Sequence, residues 1–312
     1  MASKHPKGAR SEAKPSEDHR ASSRAGFAAL LGRANAGKST LLNRLLGEKL
    51  AIATARPQTT RCRLLGILPH GAAQILLVDT PGLHGGARRR LDAALNRLVE
   101  QAADACDVGV LLIDPAAGWG PELEALHARL AARRKPVLLV GTKLDLPAAA
   151  SAPWPPAGAA PVAAALRVSA RTGAGIPELL DAIAERLPEG PWLYPADEIS
   201  DRPLRFLAAE LVREAAFEAL EQEVPYSLAV EVVEWDETRE DLVRIRANLL
   251  VERESQRGIA IGAGGAMIKR IGTQARRELE QLLGRRVHLA LWAKVEPGWS
   301  RSEKRLRSLG YS

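Results

Sequence analysis

Little in this chain of 312 residues could cross-link it or hold it in a bilayer. It has two cysteines, Cys62 and Cys106, which give neither a disulfide framework nor a zinc-ligand spacing. Both are expected to be packing residues in a reducing, cytoplasmic compartment. Aromatic residues make up 4% of the chain, too few for a platform on which successive bases stack, so nucleic-acid recognition of that kind is not expected. No apolar run is long enough and uncharged enough to span a membrane. Residues 1–24 are rich in Lys, Arg, Ser and Ala and lack an apolar core, which excludes a secretory signal. Glu12, Glu17 and Asp18 speak against a mitochondrial transit peptide, and a disordered polar arm is the expectation. There is no internal repeat.

What is present is length for two domains, each with its own core, and an uneven charge. The chain carries 44 Lys and Arg against 37 Asp and Glu, a net +7. Residues 253–312 alone hold thirteen basic and five acidic side chains, a net +8, so the remainder is near −1. A basic C-terminal end fits an anionic partner such as nucleic acid. A solvated positive face has the same composition, and charge alone does not separate the two.

From 26 to about 187, short apolar runs alternate with amphipathic stretches. Strands are predicted at 27–31, 63–68, 74–79, 108–114, 136–142 and 162–168, and helices at 41–46, 88–103, 121–133 and 175–186. That alternation predicts a mostly parallel sheet with both faces covered. The Ala/Pro-rich stretch 148–165 yields no clear helix. Residues 188–203, rich in proline and acid, read as a linker. Beyond it a helix (204–222), two strands (226–235 and 241–251), a glycine turn, a helix (266–283) and a strand (287–295) predict a second, smaller α+β unit. The expected organisation is a polar arm 1–24, a first domain 25–190, a linker 191–202 and a second domain 203–312 with a basic tail.

The stretch Gly32-Arg33-Ala34-Asn35-Ala36-Gly37-Lys38-Ser39 reads GxxxxGK(S/T) between an apolar run and a helical pattern that continues through Thr40. A phosphate-binding loop needs that context, because its backbone N–H groups and the helix N-terminus wrap an anion. Lys38 would reach the β- and γ-phosphates, and Ser39 would ligate Mg²⁺. Asp79-Thr80-Pro81-Gly82 ends an apolar strand, where a DxxG motif belongs. Asp79 would hold the Mg²⁺ shell and the Gly82 N–H would sense the γ-phosphate. Thr60 lies in the connecting loop and is the expected switch ligand to Mg²⁺, with Thr59 as the alternative.

Thr142-Lys143-Leu144-Asp145 fits (N/T)KxD after a strand. Asp145 would accept from N1–H and the 2-amino group of guanine, and Lys143 would pack its stem on the base. Ser169-Ala170, after another strand, would offer a backbone N–H to guanine O6. Together they select GTP and GDP over adenine nucleotides. Leu83 stands where some GTPases carry a catalytic glutamine, and an aliphatic chain cannot orient water. Asn35 is the residue type that binds K⁺ in some GTPases lacking that glutamine, although stabilising the loop is the alternative. Lys38, Thr60, Gly82 and Asn35 are therefore the residues expected to carry hydrolysis.

In the second unit, Gly262-Ala263-Gly264-Gly265 forms a GxxG turn opening a helix. Such a turn admits the backbone of single-stranded RNA in KH domains. Ile259 and Ile261, with Met267 and Ile268, would line a groove, and Lys269, Arg270, Arg276 and Arg277 would add phosphate contacts. The tail 299–307 either extends that track or is a solvated helix.

With GRANAGKS, PQTTR, DTPG, TKLD and VSA in this order, followed by VERESQRGIAIGAGGAMIKRIG, residues 26–311 closely resemble the bacterial Era GTPases. The resemblance implies an α/β, P-loop Ras-like G domain joined to a small α+β type II KH domain. It implies GTP hydrolysis and binding of the 3′ end of 16S ribosomal RNA in small-subunit maturation. It also implies a cytoplasmic protein with partial association with the inner membrane, and a monomer is expected. The loop 32–39 with Thr40, Thr60, 79–82, 142–145 and 169–170 would be the nucleotide contacts, and 259–271 the RNA groove. Thr142, the Ala/Pro-rich stretch and the N-terminal arm depart from the family pattern. Two other functions are compatible with the separate motifs. One is a GTPase whose second domain docks a protein or membrane; the other is a P-loop ATPase or small-molecule kinase.

Overall fold

The computed structural model describes residues 23–54, 60–83 and 90–311, with backbone alone over 90–94. Residues 1–22 of the expected arm, Pro57, Gln58 and Thr59, and the predicted helix start at 88 lie outside them; Arg24, expected in the arm, instead opens the first strand. The chain divides into two compact units between Asp201 and Arg202.

The first unit is built on strands β1 (Arg24–Gly32), β2 (Leu64–His70), β3 (Ala73–Asp79), β4 (Val108–Ile113), β5 (Val137–Gly141) and β6 (Ala164–Arg167), in the order β2-β3-β1-β4-β5-β6. Only β2 runs antiparallel, paired with β3. Every residue of β3, β4 and β5 is buried, which is why these runs are continuously apolar rather than alternating. Helices α1 (Lys38–Leu46), α2 (Arg90–Ala105), α3 (Pro121–Ala132), α4 (Pro147–Ser151) and α5 (Ile176–Ala184) accompany the sheet. Helix α3 shows the usual logic of termini: Pro121 in its first turn with Glu122 and Glu124, and Arg129 in its last. The Ala/Pro-rich stretch holds only the five-residue α4. Its Trp154 packs over Gly141 at the end of β5, and the Arg167 guanidinium sits 6.0 Å from the Trp154 ring centre.

The segment read as a linker is bonded along the sheet as far as residue 200. The buried Gln74 side chain accepts from Leu193 N and Tyr194 N at 2.8 and 3.0 Å and donates to Tyr194 O at 2.7 Å. Trp192 Nε1 donates to Ala72 O, Ile67 N to Ile199 O, and Ser200 Oγ to Leu65 O. The strap thereby satisfies backbone groups of the edge strand β2 that would otherwise invite pairing.

The second unit runs α6 (Leu204–Ala219), β7 (Ala229–Arg239), β8 (Leu242–Val251), α7 (Glu254–Ile261), α8 (Ala266–Leu283), β9 (Arg286–Val295) and α9 (Glu303–Ser308). Its sheet has the order β7-β8-β9, antiparallel then parallel. Alternate residues of β8 (Val243, Ile245, Ala247, Leu249, Val251) enter a core completed by α6 and by Ile271, Ala275 and Leu279 of α8. Helix α7 is a correction to the sequence reading, which had a glycine turn between β8 and α8. With Gly258 inside it and one buried residue, Ala260, α7 lacks the apolar stripe by which a helix is recognised. Among the described residues no helix is long and apolar enough to cross a membrane.

Candidate active site

The loop 32–37 leaves β1 and enters α1 with no side-chain cap, so the first N–H groups of α1 face outward as donors. Lys38 is buried, and its Nζ donates to the carbonyls of Arg33 and Gly32 at 2.8 and 3.2 Å. Asn35 is exposed at the loop apex with φ 61°, a left-handed conformation that Asn tolerates better than most residues. Gly82 lies against the same loop: a Cβ there would stand 2.5 Å from Ala34 Cα, so position 82 admits only hydrogen. Leu83 N donates to Gly32 O at 3.1 Å and Thr80 Oγ1 to Leu30 O at 2.7 Å. These bonds fix the end of β3, including Pro81, beside β1.

Below the loop, Ser39 Oγ donates to Asp79 Oδ2 at 2.7 Å, and Thr60 Oγ1 lies 2.9 Å from Ser39 Oγ and 3.4 Å from Asp79 Oδ2. Three residues from separate motifs thus present oxygen atoms to one spot. Burial pushes the Asp79 carboxyl up to about 6, against hydrogen bonds from Ser39 and the charge of Lys38. Burial likewise pushes Lys38 down to about 8, against the attraction of Asp79. Asp79 Oδ1 is buried with no hydrogen-bond partner among the described residues. A carboxylate with one oxygen unpartnered and the other beside two hydroxyls suits a hard divalent cation with oxygen ligands. A buried ammonium held by carbonyls at the loop suits an anion beside it.

A cavity of about 190 Å³ opens beside Gly37 and Thr40, lined also by Thr142, Lys143, Asp145 and Ala170. Asp145 Oδ1 accepts from the buried Ser169 Oγ at 2.6 Å, and Arg171 Nε lies 3.3 Å from Oδ2. The Ser169 hydrogen bond, with Arg171 adding to it, holds the Asp145 carboxyl below its usual range, so it is a pure acceptor at neutral pH. Lys143 takes φ 59° and pairs its Nζ with Asp114 Oδ2 at 2.9 Å. Thr142 bonds Ile113 O through both N (2.8 Å) and Oγ1 (3.2 Å), so the threonine tethers this loop to β4. Sequence reasoning missed Asp114 and also Arg44, which reaches Thr172 O at 3.4 Å and supports the 169–175 loop from α1. Neither belongs to a motif, and each meets its partner only through the fold.

In the second unit the turn is formed by Gly262, Gly264 and Gly265 at φ 73°, 56° and 80°, with Ala263 and Gly264 exposed. Ile259 is 49% exposed at the end of α7, and Ile261 is half-buried beside the turn. Met267 and Ile268 pack against the core. Lys269, Arg270, Arg276 and Arg277 are exposed on α8. In the tail, Trp299 is buried and Arg305 forms forked ion pairs with Glu231 and Glu296 at 2.6–3.0 Å, while Arg301, Lys304 and Arg307 are exposed.

The 50S ribosome-binding GTPase family matches residues 27–143, and the KH domain family matches 223–300. The chain is 44% identical over 290 residues to GTPase Era of Rhizobium meliloti, covering 92% of each chain. The chain belongs to the Era GTPase family. It accordingly binds GTP and GDP and hydrolyses GTP, with a P-loop G domain followed by a KH domain. GTPase Era of Coxiella burnetii is 39% identical, over 92% of this chain and 97% of that one. Among solved structures, an Era in complex with MgGDPNP and nucleotides 1506–1542 of 16S ribosomal RNA aligns at TM-score 0.83 and 36% identity. That alignment covers 93% of this chain and 99% of the other. An Aquifex aeolicus Era variant bound to GDP and aluminium fluoride aligns at TM-score 0.83 and 37% identity, with the same coverage.

Proposed function

We propose that this chain is a GTP-driven switch that binds the 3′ end of 16S ribosomal RNA and acts in small-subunit maturation and assembly. One observation carries the reading: an exposed Gly262–Gly265 turn opening a basic helix, on the same chain as a GTPase site. The Era solved with 16S ribosomal RNA nucleotides 1506–1542 supports the choice of RNA. The turn brings backbone rather than side chains to a nucleotide strand, with Ile259 and Ile261 beside it and Lys269, Arg270 and Arg276 able to meet phosphates. The G domain runs to Asp201, its strap included, and the KH domain begins at Arg202. The protein acts as a cytoplasmic monomer that associates peripherally with the inner membrane.

At the nucleotide site, Ser39, Thr60 and Asp79 would hold Mg²⁺, directly or through water, and the ion would supply positive charge against the negative charge developing on the phosphates. Lys38 adds its charge to the β- and γ-phosphates, and the Gly82 N–H reports whether the γ-phosphate is present. Asp145 reads guanine while Ser169 holds it in place, and the Ala170 N–H meets O6. Water attacks the γ-phosphorus in line. Asn35 would take part in holding a K⁺ that supplies positive charge at the phosphates, while Leu83 leaves the attacking water without an orienting side chain. Equal hydrolysis rates in K⁺ and Na⁺ would remove Asn35 from that role.

Replacing Ala263 and Gly264 together by Asp tests the RNA interface. Binding to single-stranded RNA of the 16S 3′ end should be lost while GTP hydrolysis persists. If RNA binding survives, the turn is not the clamp; if the unchanged protein binds matched and scrambled RNA alike, protein or membrane docking by this domain becomes the better reading.

A further inference from the structure

The backbone of residues 32–34 has several tasks at once. The carbonyls of Gly32 and Arg33 hold Lys38 Nζ, Gly32 O accepts from Leu83 N, and Ala34 backs Gly82. Whatever fixes this short stretch therefore fixes the ammonium and the DxxG glycine together. The Arg33 side chain reaches away from the loop to the start of α3, where Nε and Nη2 both donate to Glu122 Oε2 at 3.2 and 2.9 Å. It passes directly over Gly120, where a Cβ would stand 1.7 Å from Nη2. A side chain at position 120 would force the guanidinium out of this path.

The far end of this contact is itself held. Glu122 lies in the first turn of α3, and α3 is bound to α2 by Arg129 with Asp104 and Glu100 and by Arg133 with Asp104, at 2.6–3.2 Å. With two of its donors on Glu122, the Arg33 guanidinium serves α3 and not the phosphates. We propose that Arg33 is a positioning residue for GTP hydrolysis. Through its ion pair with Glu122 across Gly120 it holds the phosphate loop in register with Lys38 and Gly82.

A pair in which each side chain is about one-third exposed (31% and 33%) contributes little to global stability. A small displacement of reacting groups, by contrast, slows chemistry greatly. The signature is therefore a loss of hydrolysis out of proportion to any loss of stability. The full chain with Mg²⁺ would be assayed for GTP turnover, GDP affinity and melting temperature as Arg33→Met, Glu122→Gln, the double variant and Arg33→Lys. Each single variant should lower kcat about fivefold, and the double variant about fivefold as well, since both break one contact. Melting temperature should change little, GDP affinity should fall less than kcat because Lys38 also meets the β-phosphate, and Arg33→Lys, which keeps the charge, should recover part of the rate. Wild-type turnover by Glu122→Gln, multiplicative effects in the double variant, or a rate that falls only in step with melting temperature would each overturn the proposal.

Discussion

Asp79 and Lys38 are buried charges of opposite sign, each shifted towards its neutral form by burial, which the attraction of the other offsets only in part. For Asp79 the consequence for stability has a definite sign. Its carboxyl titrates at about 6 in the folded chain against 3.8 for the free side chain, so between these values the folded state holds the proton more tightly. Stability of the nucleotide-free protein should therefore fall as pH rises from about 4 to about 6, by on the order of 2–3 kcal/mol from this group. Asp79→Asn should flatten that part of the profile in denaturant titrations without nucleotide or Mg²⁺. An unchanged slope would mean that Asp79 is already ionised across the window. At this scale the motif residues were legible in the sequence, because phosphate, Mg²⁺ and guanine demand particular groups at particular spacings. Arg33–Glu122 and Lys143–Asp114 were not, since the partners lie 89 and 29 residues apart and only the fold joins them.

At the scale of elements, the strap 190–200 is the feature that composition misread. Proline and acidic residues do describe a segment without regular structure, but one buried glutamine on β3 gives it a fixed place. Sequence reading took Gln74 as one polar residue in a strand; its side chain makes three hydrogen bonds to strap backbone. Gln74→Leu would remove all three hydrogen bonds from these part-buried backbone groups, at a cost of about 1–2 kcal/mol to the first unit. A change within experimental error in urea unfolding would show that the strap finds other partners. The inner strands of the first unit were legible because burial on both faces makes β4 and β5 continuous apolar runs and β3 nearly so. Helix α7 was not, because it is short, mostly exposed and contains glycine.

For the whole molecule, the basic C-terminal end divides into two parts. Arg305 is spent on Glu231 and Glu296, anchoring the tail, whereas Lys269, Arg270, Arg276 and Arg277 on α8, with Arg301, Lys304 and Arg307 in the tail, stay exposed. Net charge read from sequence pointed to an anionic partner without distinguishing these roles, because counting cannot tell a paired arginine from an exposed one. A switch requires the nucleotide site and the RNA site to share free energy, and such coupling is reciprocal. The most direct measurement is the affinity of the full chain for single-stranded RNA of the 16S 3′ end at fixed salt. It would be made with a GTP analogue, with GDP and without nucleotide, against a scrambled RNA. The matched RNA should bind at least about fivefold more tightly in the GTP-analogue state than in the GDP state, the lower end of ordinary coupling. Equal affinity in all three states, or equal affinity for both RNAs, would contradict a nucleotide-controlled RNA switch.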